Sequence, residues 1–363
     1  MTEHPSVVHV LWDGSVGGIQ RVVEDLAQDR LGAGRRIGVA FGQATGPAAQ
    51  RLRATGAEVI DLRLRSGYDV MPQRVRTAAR ALAAFDVVHV HAFNPPLALA
   101  VLLARRPVVY TEHANFAAGR SVRPEDRVKR RLLRAFLDRR ADAVTAISQF
   151  AGARMRELYG LSRRRIEVVP NGIDLSRFDA PGPADTGAGG PVRALAVGRL
   201  AGFKRVDRLL DVAARLEDGA AAITVVGDGP DGPALRARAA ELGVEDRVTF
   251  AGTRQDVPAL LRAADVLVHP ARGEGFGIVI LEACAAGVLP VVFRDGGGAI
   301  EALPPDGVVV ADPQECATAL STLAASGALS WEARRDRARW VRERFPVARM
   351  AEDFERIYRQ VAR

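Results

Sequence analysis

A chain of 363 residues exceeds what one hydrophobic core usually supports, so two packed domains are expected. Hydrophobic residues at 48% and charged residues at 26% argue against long disorder, and the longest unbroken apolar run, Leu97 to Ala104, is too short to span a bilayer as a helix. The net charge of +8 is uneven: residues 1–185 hold 28 Lys/Arg and 19 Asp/Glu against 23 and 24 in the remainder, so an anionic partner is expected to meet the first half.

The opening MTEHPSVVHVLW runs from a polar tip into an apolar strand without the features of an export signal, and Cys284 and Cys316 are too few for a disulfide scaffold. A cytoplasmic protein whose cysteines act as small buried hydrophobes is expected. Short apolar runs then alternate with amphipathic segments, the pattern of a parallel sheet covered by helices. Strands are expected at Val7–Leu11, Ile37–Phe41, Val59–Leu62, Val87–His91, Val108–Glu112 and Ala143–Ile147. The pattern stops at the Pro/Gly/Ala-rich stretch Asp179–Pro191, which reads as a hinge. It restarts with Ala194–Val197, Ile223–Val226, Val248–Phe250, Val266–His269, Leu289–Phe293 and Val308–Val310. Trp331–Arg363 reads as two charged helices broken near Pro346.

The expected fold is therefore α/β, with two Rossmann-like, doubly wound parallel-sheet domains facing a cleft: residues 1–178, a linker at 179–191, and residues 192–345, the helix at 346–363 packing back on the first domain. Open parallel sheets bind ligands outside their carboxyl strand ends.

The most informative stretch is HPARGEGFGIVILEACAAGVLPVV, residues 269–292. A strand ends in a Gly-rich turn and an apolar helix begins near Gly277, so unpaired backbone N–H groups at the helix mouth form an anion seat. Glu274 lies in the turn and Glu282 eight residues on, too far apart for an acid/base pair. The spacing suits one carboxylate at a sugar and another accepting hydrogen bonds from ribose hydroxyls. In VGRLAGFKRVDRLL, Arg199 and Lys204 are two cations beside a helix start, placed to neutralise charge on a departing diphosphate.

The setting EGFGIVILE resembles the Glu, seven residues, Glu signature of family 4 of the retaining nucleotide-sugar glycosyltransferases, which have the two-domain GT-B fold. GGIQRVVEDLA, VVHVHAF, TEHANF, AISQF, VVPNGID, VVGDGP, VTFAGT, ADVLVHPA and GGGAIEAL resemble the same family in the same order. The resemblance implies transfer, with retention, of a hexose from a nucleotide diphosphate to a hydroxyl of a glycan, lipid or small-molecule acceptor. It places Gly17 and Gly18 near the phosphates, His113 near the sugar's outer hydroxyl, and the diphosphate between Arg199 and Lys204. Glu274 and His113 are the expected catalytic residues. Gly17, Gly18, Arg199, Lys204, Gly252, Thr253, Arg254, Gly275, Phe276, Gly277, Ile278, Val279 and Glu282 are the expected donor-binding residues. Arg35-Arg36 replaces the family's usual Gly-His, and Cys284 a common Met.

No Asp-any-Asp triplet for a divalent metal is present, so charge stabilisation is assigned to Arg199, Lys204 and the amides near Gly277 and Ile278, with no metal and no cofactor. UDP is expected as the carrier ahead of GDP or dTDP. His89 and His91 share one strand face but lack a third ligand in register, and read as sheet-edge groups lining the cleft. Gly227, Gly229 and Gly232 form a G-x-G-x-x-G that is set aside as a dinucleotide site, because Pro230 and Pro233 suit its turn and helix start poorly.

Residues 120–140 carry nine Lys/Arg against three Asp/Glu, with Val128, Leu132, Leu133, Phe136 and Leu137 at helical spacing. They read either as a solvated helix packed on the sheet or as a docking face for an anionic membrane bearing the acceptor; no nucleic-acid partner is expected. The competing readings of the whole chain are a nucleotide-sugar 2-epimerase of similar fold, which would consume donor without an acceptor, and a non-enzymatic membrane- or glycan-binding module.

Overall fold

The computed structural model describes residues 4–15, 17–113, 124–161, 165–178, 190–323 and 326–363. The first half alternates β1 (Val7–Asp13), α1 (Gly18–Gly32), β2 (Ile37–Gln43), α2 (Pro47–Ala54), β3 (Glu58–Asp61), α3 (Pro72–Leu82), β4 (Val87–Val90), α4 (Pro95–Ala104), β5 (Val108–Glu112), α5 (Pro124–Arg139), β6 (Ala143–Ala146), α6 (Gln149–Tyr159) and β7 (Glu167–Val168). The second holds β8 (Val192–Val197), α7 (Asp207–Ala213), β9 (Ala221–Val226), α8 (Gly232–Glu241), β10 (Val248–Gly252), α9 (Val257–Ala263), β11 (Val266–His269), α10 (Ile278–Ala285), β12 (Leu289–Phe293), β13 (Val308–Val310), α11 (Pro313–Leu323), α12 (Trp331–Arg344) and α13 (Val347–Val361).

Both sheets are parallel, with strand order β3-β2-β1-β4-β5-β6-β7 in the first and β10-β9-β8-β11-β12-β13 in the second. The order reverses at β1/β4 and again at β8/β11, the switch points of doubly wound sheets. Because helices cover both faces, the central strands are nearly continuous apolar runs, with Val7, Val8, Val10, Val87, Val88, Val266 and Leu267 all buried. The two-residue strand β7, too short to show a period, was not expected from the sequence.

The described residues fall into two compact units, one reaching Ile173 and also holding Val347–Arg363, the other holding Asp174–Pro346. The boundary drawn at residue 178 therefore falls at 173. The short 3-10 turn Leu175–Arg177 joins the second unit, where Arg177 Nη1 lies 3.6 Å from Glu282 Oε1. Of the expected hinge, residues 179–189 lie outside the described residues.

The tail divides between the units. In the second, α12 packs on α10 and buries two arginines. Arg334 donates to the carbonyl of Ala264 and Arg337 to that of Gly287, satisfying backbone oxygens just past the ends of α9 and α10. In the first unit α13 packs on α1 and buries Met350, Ala351, Phe354, Ile357 and Tyr358, and its buried Glu355 pairs with Arg30 of α1.

Glycines of VVGDGP are set by backbone crowding. A Cβ on Gly227, whose φ is +132°, would come within 2.0 Å of the Gly198 carbonyl oxygen, and one on Gly229 within 2.3 Å of that of Leu200. The loops after β8 and β9 thus press backbone against backbone, and Leu200 N–H donates to the Asp228 carbonyl. Pro233 occupies the first turn of α8, where proline is tolerated, so that objection to the glycine motif does not hold; the motif is a loop-packing device. Gly227→Ala should lower unfolding free energy in denaturant titration by about 3 kcal/mol, against about 1 kcal/mol for Gly243→Ala, which has a positive φ of +64° but open space around it.

Candidate active site

The site in the second domain is built by three loops. Gly202–Lys204 forms a 3-10 turn after β8, and Arg205, held left-handed at φ +48°, turns the chain into α7. The Gly-rich turn after β11 is clamped on both sides. Arg272 N–H donates to the Phe203 carbonyl, Gly273 and Glu274 N–H to the carbonyls of Asp295 and Gly296, and Gly298 N–H returns to the Glu274 carbonyl. Asp295 is gripped by both terminal nitrogens of Arg208 at 2.7 and 2.6 Å. Gly277 caps α10 in the left-handed conformation at φ +83°, which reverses the chain so that the first amides of α10, including Ile278 and Val279, lack intrahelical acceptors.

This frame brings Lys204 Nζ to 2.6 Å from Glu274 Oε2, with both side chains about four-fifths buried. Burial opposes ionisation of Glu274, but the Lys204 ammonium and His269 together hold its carboxyl down to about 2. His269, at the end of β11, is buried and lowered from its ordinary value by desolvation; its Nε2 lies 3.7 Å from the same carboxylate oxygen, beyond hydrogen-bonding reach. Gly198, Lys204, Val206, His269, Pro270 and Ala271 line one small cavity here. His269 was not expected from the sequence, where it reads only as the last residue of a strand.

Arg199 is exposed, and among the described residues its guanidinium has no ion-pair partner. Lys204, expected at a diphosphate with Arg199, pairs in this structure with the carboxylate expected at the sugar. Glu282 is 17% exposed and lies near Arg177, a cation that no sequence pattern links to it because it precedes the linker. Gly275 is buried, and the Phe276 side chain packs against Phe345 with ring centroids 5.8 Å apart, so only its backbone can face a ligand. Gly252 has φ +65° at a bulge ending β10, Thr253 is exposed, and Arg254 is engaged by Asp256 through two bonds of 2.8 and 2.7 Å.

In the first domain Gly17 and Gly18 lie at the start of α1, directly after β1, at the topological switch point. His113 follows β5 and is half-buried. The reading of His89 and His91 as sheet-edge groups is overturned: β4 lies between β1 and β5 in the middle of the sheet, and both rings are buried. His9, on the neighbouring strand, completes the cluster. His9 Nδ1 is 2.8 Å from His91 Nε2, and His91 Nδ1 is 2.8 Å from His113 Nε2. His89 bonds Tyr358 of α13 at 2.7 Å and Thr111 at 2.6 Å, and Thr111 bonds Thr145.

Nitrogens of His9, His89 and His91 lie within 4.8 Å of one another, an arrangement that could hold a metal ion. The 2.8 Å spacing of the His9–His91 pair is nonetheless shorter than the roughly 3.3 Å that separates two ligands on a tetrahedral ion with bonds of ~2.0–2.1 Å. A shared proton fits that spacing better.

The basic stripe divides as well. Residues 120–123, and the side chains of 124–126, lie outside the described residues. On the rest of α5, Leu133, Phe136 and Leu137 are buried, while Val128 and Leu132 are 56% and 51% exposed. The five apolar positions therefore do not form one buried face.

Burial holds the His9 ring down to about 3 and the His113 ring down to about 4, and lowers His89 and His91 well below the ordinary 6.5. In the unfolded chain these rings take up protons near pH 6.5, and in the folded one they do not. Stability is therefore full above about pH 6.5 and falls as the pH drops toward the folded values, by up to about 1.4 kcal/mol per pH unit per histidine. Thermal unfolding between pH 8 and 4.5 should show the first domain losing stability from about pH 6.5 downward, and Phe at position 9 in place of His should shallow that slope.

Two family profiles cover most of the chain: one described as Glycosyltransferase Family 4 matches residues 16–177, and one described as Glycosyl transferases group 1 matches residues 191–326. The chain is 35% identical over 216 residues to the D-inositol 3-phosphate glycosyltransferase of Nocardia farcinica, covering 53% of this chain and 47% of that protein. It is 33% identical over 285 residues to the enzyme of the same name from Salinispora arenicola, covering 68% and 62%. The chain thus spans about half to three-fifths of the length of the curated relatives it matches. The crystal structure of Anabaena HepE in complex with UDP and glucose superposes with a TM-score of 0.80 at 22% identity, over 98% of this chain and all of that one. WaaG, a glycosyltransferase involved in lipopolysaccharide biosynthesis, superposes with a TM-score of 0.74 at 22% identity over 97% and 99%. With both halves matched by glycosyltransferase profiles and both sheets in the corresponding architecture, the chain belongs to the family 4-like glycosyltransferases of the GT-B fold.

Proposed function

We propose that this chain transfers a hexose from a nucleotide diphosphate, UDP ahead of GDP or dTDP, to a hydroxyl of a glycan, lipid or small-molecule acceptor, with retention and without a metal or cofactor. The observation that carries the reading is the Lys204–Glu274 pair at the mouth of α10. A carboxylate kept ionised there orients sugar hydroxyls and supports positive charge growing at the anomeric carbon. An ammonium beside it, with Arg199 and the first amides of α10, balances the charge that accumulates on the departing diphosphate. Two structures of one similar protein support the donor class: HepE was crystallised with UDP and with UDP-glucose. Glu282 then holds the ribose, and His113 donates to the sugar.

An epimerase would consume donor alone, and a binding module would have no use for an ionised, lysine-paired carboxylate at a helix mouth. Glu274→Gln should lower transfer by about a hundredfold or more while nucleotide diphosphate binding, read by calorimetry, stays within about twofold. Turnover should be unchanged by EDTA. Full activity in the variant, or loss on chelation, is the opposite result.

The acceptor side is proposed to meet an anionic membrane. Right-handed crossovers carry α4 and α5 to the same face of the first sheet, because both connect strands advancing in one direction along it. That face exposes Leu99, Leu102 and Leu103 of α4 and Val128 and Leu132 of α5, and α5 also exposes Arg127, Lys129, Arg131 and Arg134. Exposed apolar side chains and cations on one face suit an interfacial contact. Among the described residues no helix is long and apolar enough to cross a membrane. Co-sedimentation should be strong with vesicles containing phosphatidylglycerol, weak with phosphatidylcholine alone, and lost when Arg127, Arg130, Arg131 and Arg134 are replaced by Glu.

A further inference from the structure

The three rings His9, His91 and His113 form a chain with one proton for each bond. His91 bonds His9 through Nε2 and His113 through Nδ1, both at 2.8 Å. Burial keeps all three neutral at physiological pH, so each ring carries one N–H and one lone pair. Only two arrangements satisfy both bonds. Either every ring is protonated on Nδ1, so that His9 donates to His91 and His91 to His113, or every ring is protonated on Nε2 and the direction is reversed. A mixed state would leave two N–H groups or two lone pairs facing each other at one of the bonds.

The closed end of the chain selects between them. Among the described residues His9 Nε2 is buried with no hydrogen-bond partner, and the Arg30 guanidinium acts on this ring from α1. If His9 carried its proton there, a buried N–H would be orphaned under a positive field. If it carries a lone pair, the unpaired group is an acceptor, which is tolerated better, and the field is favourable. His89 does not compete, because both its nitrogens are engaged by Tyr358 and Thr111.

We infer that His9 and His91 are positioning residues that lock His113 in the Nδ1–H form, so that it presents a hydrogen-bond donor and not a base at its free nitrogen. Among the described residues His113 Nδ1 has no partner, which leaves that N–H for a ligand. This deepens the reading of His113 as a group at the donor sugar and rests on it. A ring fixed as a donor accepts no proton from a sugar hydroxyl. It donates to the hydroxyl oxygen, and it discriminates against a donor analogue in which that oxygen is missing.

The chain has six histidines, so a long-range proton–nitrogen correlation spectrum of the whole protein labelled with 15N in its histidine rings can be assigned by single substitutions. At pH 7.5 His9, His91 and His113 should all show a protonated Nδ1 and a bare Nε2, the form that a free imidazole disfavours. A protonated Nε2 on His91 or His113, or rapid averaging of the two forms, would overturn the inference. His91→Phe cuts the chain; His113 should then shift to the Nε2–H form and kcat should fall about tenfold, with nucleotide affinity unchanged. An unaltered His113 spectrum in that variant also overturns the inference. Undiminished transfer by His113→Ala would count against the sugar contact itself, so failure of the lock and failure of the functional reading are told apart.

Discussion

The candidate site depends on keeping an ionised carboxylate charged while it is almost out of reach of water. Glu274 is largely buried, and burial by itself would push its proton affinity up and neutralise it. The Lys204 ammonium at 2.6 Å reverses that outcome, and it can do so only because two loops from different parts of the chain are held together by backbone hydrogen bonds. The same clamp sets the left-handed entry into α10 and so directs the open amides of its first turn. Charge balance, loop packing and anion seat are consequences of one arrangement, and loosening any of the three disturbs the others.

The first domain solves a related problem with neutral groups. Its middle strands carry histidine and threonine where the pattern of the sheet calls for valine, and these side chains bond one another across β1, β4, β5 and β6 under the cover of α13. Burial removes their charge, and hydrogen bonding removes most of the cost of burying a polar ring. At the closed end of the row His9 Nε2 is, among the described residues, buried without a partner, and that exception gives the row of rings a direction. A polar row inside a sheet is high-stakes for stability, since a half-satisfied network costs more than an apolar core would. Here it ends at His113, next to a loop, where a polar edge has a use.

Buried arginines show a third way of meeting the same constraint. Arg334 and Arg337 of α12 lie in the interior and donate to carbonyls past the ends of neighbouring helices, while Asp265 at 3.7 Å and Asp306 at 2.6 Å balance their charge. The composition of α12 alone, rich in Arg and Glu, reads as a solvated helix, and which of its arginines turn inward depends on where α9 and α10 end.

The amino-acid sequence by itself determined the two α/β halves, twelve of the strands, the Gly-rich turn at the head of α10 and the cations that follow β8. These features are written in local periodicity and in residue types with one physical use. It also placed Glu274 and Lys204 as separate members of a site. That they meet as an ion pair, that Arg177 stands near Glu282, that His269 backs the carboxylate and that His9 extends the row begun at His89 and His91 was decided only by the tertiary structure. Each of those pairs joins residues brought together by sheet order, and a strand's alternation says which side chains share a face but not which strand lies alongside. For the same reason His89 and His91 read as edge groups until the order β3-β2-β1-β4-β5 put them in the middle of the sheet, where burial leaves their rings neutral.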